Sequence, residues 1–227
     1  MIGGDGMILN KRIVLLAGHY GSGKTNVAVN LVQAMKTQHE HVAFADLDIV
    51  NPYFRGKDSS DELEQQGIRV ICSDYANSNV DMPALPPDMY AITDDKILHT
   101  VIDVGGDDRG ALALGRLAPA IRAEQDYHML MVVNGYRPLT RTPDEVLEVM
   151  REIELAGGVP FTGLINNSNI GAETTAEDVL ATQALVQQVA KRCGLPVVLT
   201  TVDESLYDQL KITIPDLFPL RLQRRAV

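Results

Sequence analysis

The chain has 227 residues, 45% hydrophobic and 22% charged, which suits one domain with a sizeable core and argues against intrinsic disorder. A formal net charge of −10 argues against broad DNA or RNA binding, which needs a basic face. No apolar run approaches the roughly 20 residues that span a bilayer, the opening MIGGDGMILNKR has no apolar signal core, and Cys72 and Cys193 stand in no metal-binding spacing, so the expectation is a cytoplasmic chain with two reduced thiols.

Residues 1–10 read as a flexible lead. RIVLLAG, ending at Gly18, reads as a buried strand, and Gly23 to about Lys36 as a helix with Val27, Leu31 and Ala34 on one face. Further strands are expected at 41–48, 68–73, 96–104, 127–134, 161–166 and 196–201. Helical patterns cover 110–122, 143–156 and 175–193. Thr142 before Pro143 is a helix start, and Gly194 followed by Pro196 a helix stop. The Asn-, Asp- and Pro-rich stretch 74–95 reads as a surface excursion holding a short helix. Its NVDMPALPP run is a candidate partner-contacting segment. The domain is expected to run over 11–215. A tail at 216–227, interrupted by Pro219, is too short for an amphipathic membrane anchor. Near-continuous apolar strands alternating with helices predict an α/β, three-layer fold around a mostly parallel sheet of about seven strands. In such sheets ligands bind at the carboxyl ends of the strands.

Three motifs fall at those ends. Gly18-x-x-x-x-Gly23-Lys24-Thr25 fits the P-loop pattern in full, after a strand and before a helix. In such a loop the backbone N–H groups of residues such as Tyr20, Gly21, Ser22 and Asn26 wrap phosphates, aided by the positive end of the helix. Lys24 would reach the β- and γ-phosphates, and Thr25 would ligate Mg²⁺. HTVIDVGGDD ends a strand in Asp103, placed to hold the metal's shell, followed by Gly106, whose N–H could approach a γ-phosphate. DLDIVNPYFR offers Asp46 and Asp48, one for the metal's outer shell and one for the attacking water.

Together these motifs resemble the MinD/ParA group of P-loop ATPases, which includes the nitrogenase iron protein and the nickel-insertion and arsenite-pump ATPases. GLINNSN at 163–169 resembles the iron protein's segment whose Asn contacts adenine. The resemblance, over roughly 11–205, makes Asn167 the base-reading candidate with Asn166 its rival. It also implies Asp48 as the water-positioning carboxylate and Asp107 as a switch residue. It implies Mg·ATP as ligand, and a homodimer or a protein client as partner.

The departures bear on mechanism. The family's first loop lysine, which reaches across a dimer, is replaced by His19. Arg55 and Arg109 are candidate substitutes for the missing cation. The iron protein's cluster cysteine corresponds to Gly110, so no iron–sulfur cluster is expected. The expected function is slow, Mg-dependent ATP hydrolysis driving a switch on a protein partner, or in cofactor or metal-centre maturation. Lys24 and Asp48 are its catalytic residues, and Thr25, Asp48 and Asp103 its metal residues. The alternative is a P-loop kinase or ATP-dependent ligase passing phosphoryl to a small acceptor. GHYGSGKT resembles kinase loops, but no arginine-rich lid is evident.

Overall fold

The computed structural model describes residues 9–47, 57–72, 87–105 and 108–221, with all their side chains except those at 57–59, 108 and 109. The expected alternation of strand and helix is present. β1 (Ile13–Ala17) feeds α1 (Lys24–Lys36), and β2 (Val42–Asp46) is followed by α2 (Lys57–Gln65). Then come β3 (Ile68–Cys72), α3 (Pro87–Asp94) and β4 (His99–Asp103). α4 (Asp108–Gly115) and α5 (Ala118–Glu124) lead to β5 (Tyr127–Val133), α6 (Pro143–Gly157) and β6 (Gly163–Asn166). α7 (Ala176–Ala181), α8 (Gln183–Cys193), β7 (Val197–Asp203), α9 (Glu204–Leu210) and β8 (Leu217–Leu220) complete the order.

The strands form one eight-stranded sheet in the order β3-β2-β4-β1-β5-β6-β7-β8, and every pairing is parallel. Both faces of the sheet are covered. Ile13, Leu15 and Ala17 of β1 pack with Met89 and Ile92 of α3, Leu114 of α4, Ile121 of α5, Val146 and Met150 of α6 and Val189 of α8. Val14 and Leu16 point the other way, into α1 and Leu63 of α2. This is the alternation that a strand buried on both faces imposes. A smaller cluster joins Val179, Val202, Leu210 and Leu217 beyond β7.

The structure differs from the expected elements where a local rule was overridden or thin. The expected helix at 110–122 is two helices. Pro119 sits in the first turn of α5, where its missing N–H costs nothing; in a continuous helix it would break a backbone bond. The expected helix at 175–193 breaks at buried Thr182, whose hydroxyl turns back onto Val179 O at 3.0 Å. α2 escapes the sequence pattern because KDSSDELEQ carries one apolar residue, Leu63, too few for a periodic signal. The domain also extends past both expected limits. Leu9, assigned to the lead, is fully buried. Leu217–Leu220, assigned to the tail, is the eighth strand. Its Pro219 is tolerated because β8 is an edge strand. Of the expected surface excursion, residues 74–86 lie outside the described residues, as does the tail from 222. Pro87–Asp94 is the short helix expected there; it buries Met89 and Ile92 in the core and leaves Asp88 and Tyr90 exposed.

At the amino end of the sheet, His39 and His99 stack with ring centroids 3.6 Å apart. The Nδ1 of His99 is buried without a hydrogen-bond partner. Burial first, and His39 second, hold the His99 imidazole below its ordinary 6.5. The unfolded chain therefore binds this proton more tightly. Stability is complete above the unfolded value and falls as pH drops through it toward the folded one. Glu124, held low by its hydrogen bonds to Arg12, bears on a more acidic range. We predict that His99→Phe flattens the urea-unfolding midpoint between about pH 7 and 5.5, where the unmodified protein loses stability. An unchanged slope would contradict this origin.

Candidate functional site

The first turn after β1 is shaped by glycines at which a side chain would be crowded or strained. A Cβ on Gly18 would stand 2.5 Å from Val132 O. Gly21 and Gly23 hold left-handed φ values of +79° and +83°. Gly23 is the N-cap of α1 and provides no side-chain cap, so the first N–H groups of α1 have no capping side chain. The Ser22 hydroxyl is buried with no hydrogen-bond partner. Lys24 is only 5% exposed, and among the described residues no acid pairs with it. A buried ammonium is costly unless an anion accompanies it. Uncapped helix N–H groups, a buried hydroxyl donor and a buried lysine form a cradle for a polyanion.

Strand register brings the carboxylates to this cradle. Leu16 of β1 pairs with Asp103 of β4, and Asp103 with Asp46 of β2. Leu16, Val101 and Phe44 lie on the α1 face, so alternation puts Asp103 and Asp46 on that face too. Both are buried, at 0% and 2% exposure. The Thr25 hydroxyl donates to Asp103 Oδ2 at 2.5 Å. A hydroxyl and a carboxylate oxygen side by side next to a phosphate cradle suit a small hard cation such as Mg²⁺. The pairing runs on past the carboxyl ends of the strands, where Leu47 N donates to Asp103 O and Val104 N to Leu16 O, each at 2.9 Å.

On the other side of the loop, Asn167 is buried against it. Its Nδ2 donates to Ser22 O at 2.7 Å, and its Oδ1 accepts from the Thr201 hydroxyl at 2.7 Å. The amide sits so close that a Cβ on Gly23 would overlap Nδ2. One N–H and one lone pair are left by these two bonds for a base. Asn166, the rival, folds back on its own turn, its Oδ1 accepting from Ser168 N and Oγ. His19 Nδ1 pairs with Tyr20 O at 3.0 Å, and Tyr20 is 67% exposed. Asn26 lies in the first turn of α1 and accepts at its carbonyl from Asn30 Nδ2. A Cβ on Gly110 would stand 2.5 Å from Gly105 Cα, so no side chain fits where the resemblance would put a cluster cysteine.

The structure thus gathers Gly18, Gly21, Ser22, Gly23, Lys24, Thr25, Asp103 and Asn167 at one end of the sheet. Asp48, Gly106, Asp107 and Arg55, and the side chain of Arg109, lie outside what is described. Two neighbours of the loop were not anticipated. Thr201 anchors Asn167, and Arg137 lies along Gly21, where a Cβ would meet its Cδ at 3.8 Å and Nε at 3.9 Å. Thr201 lies in the carboxyl half of β7 and Arg137 follows the carboxyl end of β5, and that placement is the signal that could have found them.

The CbiA family model, described as the CobQ/CobB/MinD/ParA nucleotide binding domain, matches residues 13–180. No curated protein matches the chain. Among solved structures it is similar to the cell division protein FtsY of Thermotoga maritima, at 20% identity and a TM-score of 0.57, covering 85% of this chain and 62% of that one. It is similar to chloroplast FtsY of Physcomitrella patens at 19% and 0.55, covering 83% and 57%. It is also similar to the signal recognition particle 54 kDa protein of Aeropyrum pernix, solved with GDP, at 14% and 0.51, covering 84% and 41%. The chain thus spans less than two thirds of each of these proteins, and at such identities the likeness is one of fold.

The contacts of Asn167 make it a structural tie as well as a ligand candidate. We predict that Asn167→Ala, which strands the Ser22 carbonyl and leaves the Thr201 hydroxyl only its 3.3 Å bond to Asn166 O, lowers stability without nucleotide by about 2 kcal/mol in urea unfolding. A loss under about 0.5 kcal/mol would show that neither bond contributes.

Proposed function

This chain belongs to the CobQ/CobB/MinD/ParA nucleotide-binding domain family, and on that premise we propose that it binds Mg·ATP at the P-loop and hydrolyses it slowly, as a switch. The observation that carries the proposal is the buried Lys24, with which no acid among the described residues pairs, beside the Thr25–Asp103 pair. Lys24 would contact the β- and γ-phosphates, and the N–H groups from Tyr20 to Asn26 would wrap them. Thr25 and Asp103 would hold Mg²⁺, which when bound neutralises the charge developing on the phosphates. Asp48 would orient the attacking water, and Gly106 would donate its N–H to the γ-phosphate; both roles rest on the resemblance of their motifs.

Adenine is the proposed base on chemical grounds. Guanine offers an N1–H and an exocyclic amine, a donor pair that suits a carboxylate acceptor. The GLINNSN segment carries amides and a hydroxyl but no carboxylate. Amides, which donate and accept, suit the adenine edge. The solved relative bound to GDP makes GTP the reading to test against. A homodimer and a protein client are the proposed partners, and the cytoplasm the proposed location. No described helix is long and apolar enough to cross a membrane.

The roles separate under mutation. Lys24→Ala should weaken ATP binding at least about tenfold in calorimetry, through loss of a charge-assisted phosphate contact. Asp103→Asn should weaken binding in Mg²⁺ but not in EDTA. Asp48→Asn should bind ATP normally and turn over roughly 10²-fold more slowly. Hydrolysis by Asp48→Asn at the unmodified rate would remove the ATPase mechanism and favour transfer to a small acceptor.

A further inference from the structure

We propose that Arg137 is a phosphate-contacting residue of this site, supplying from within the chain a cation that the loop lacks at His19. The inference rests on the nucleotide-site reading above and extends it to a residue outside the P-loop pattern.

Four observations converge on Arg137. Its stem runs along Gly21, the bare left-handed residue at the middle of the loop, with Cδ and Nε at ordinary van der Waals distance from where a side chain would begin. Arg137 is an exposed residue, and among the described residues no acid pairs with it, in a chain of 30 acidic and 20 basic residues. The segment that carries it is held in place. Arg137 N donates to Asn134 O at 3.0 Å, and the buried Thr140 hydroxyl donates to the same oxygen at 2.7 Å. Gly135 N donates to Ser168 Oγ at 2.9 Å, and the Tyr136 hydroxyl to Asp178 O at 2.9 Å. Finally, the segment it is tied to, around Ser168, adjoins Asn167, which grips the loop from its other partner, Ser22.

The chemistry follows from this placement. A guanidinium offers five donors in a planar fork that matches phosphate oxygens, and its charge is permanent. Lys24 is buried and Arg137 is at the surface, so the loop has one enclosed cation and one that solvent reaches. Little backbone ordering is needed for the second to engage, because the Asn134–Thr140 turn is already fixed. A bystander arginine would pack its stem on Gly21 in the same way; it differs in being indifferent to loss of charge.

The test is calorimetric titration of the full chain with ATP in Mg²⁺, using R137M, R137K and K24A, with melting temperatures for each. R137M keeps the apolar stem and removes the charge. It should raise the Kd for ATP about tenfold without lowering the melting temperature. R137K should bind more tightly than R137M, and the salt dependence of R137M should be shallower than that of the unmodified protein. ATP affinity in R137M equal to the unmodified value, with K24A having lost binding, would overturn the inference and leave the nucleotide site standing. Equal affinity in K24A as well would overturn the underlying reading. Should R137M melt early, R137Q at the same exposed position replaces it, judged by the same Kd comparison.

Discussion

The register between β1 and β4 is the constraint on which the site depends. Pairing Leu16 with Asp103 ends β4 in a carboxylate on the α1 face, within a hydrogen bond of Thr25 in the first turn of α1. A slip of one residue would turn Asp103 to the opposite face, among the apolar side chains of α4 and α6. That register is fixed by apolar packing on both faces of every central strand, not by the polar groups it serves. The core thus positions charges that it could not itself stabilise.

A second tie joins the two halves of the sheet across the loop. β6 and β7 hold the Asn167 amide, through Thr201, against the Ser22 carbonyl. The same β6 end anchors the turn after β5 through Ser168 and Asn169. The loop is therefore braced on one side by β4 and on the other by β6. Glycines at 18, 21 and 23 shape its backbone, with no room for a side chain at Gly18 or Gly23. Bracing of this kind lets a loop bind phosphate without a large ordering cost.

Much of this was legible in the sequence because it is written in local patterns. The apolar runs gave the central strands, and the spacing of Gly18, Gly23, Lys24 and Thr25 gave the phosphate loop. Asp103 at the end of an apolar run gave the metal-side carboxylate. What escaped is set by tertiary context. β8 carries a proline that only its edge position tolerates, and α2 is too polar to show a periodic face. Thr182 ends a helix through a hydroxyl turned back on its own backbone, in a run that otherwise reads as one helix. The contacts of Asn167 with Ser22 and of Arg137 with Gly21 join residues more than 110 positions apart, beyond the reach of any local pattern.

The central claim is that the cradle at Gly18–Thr25 holds a magnesium–adenine nucleotide. Titrating the unmodified chain with ATP and with GTP, each with Mg²⁺ and with EDTA, tests it most directly. The account predicts ATP binding that Mg²⁺ strengthens, and a preference over GTP of roughly tenfold or more from the base-edge hydrogen bonds. Equal or tighter binding of GTP, or binding indifferent to Mg²⁺, would contradict it.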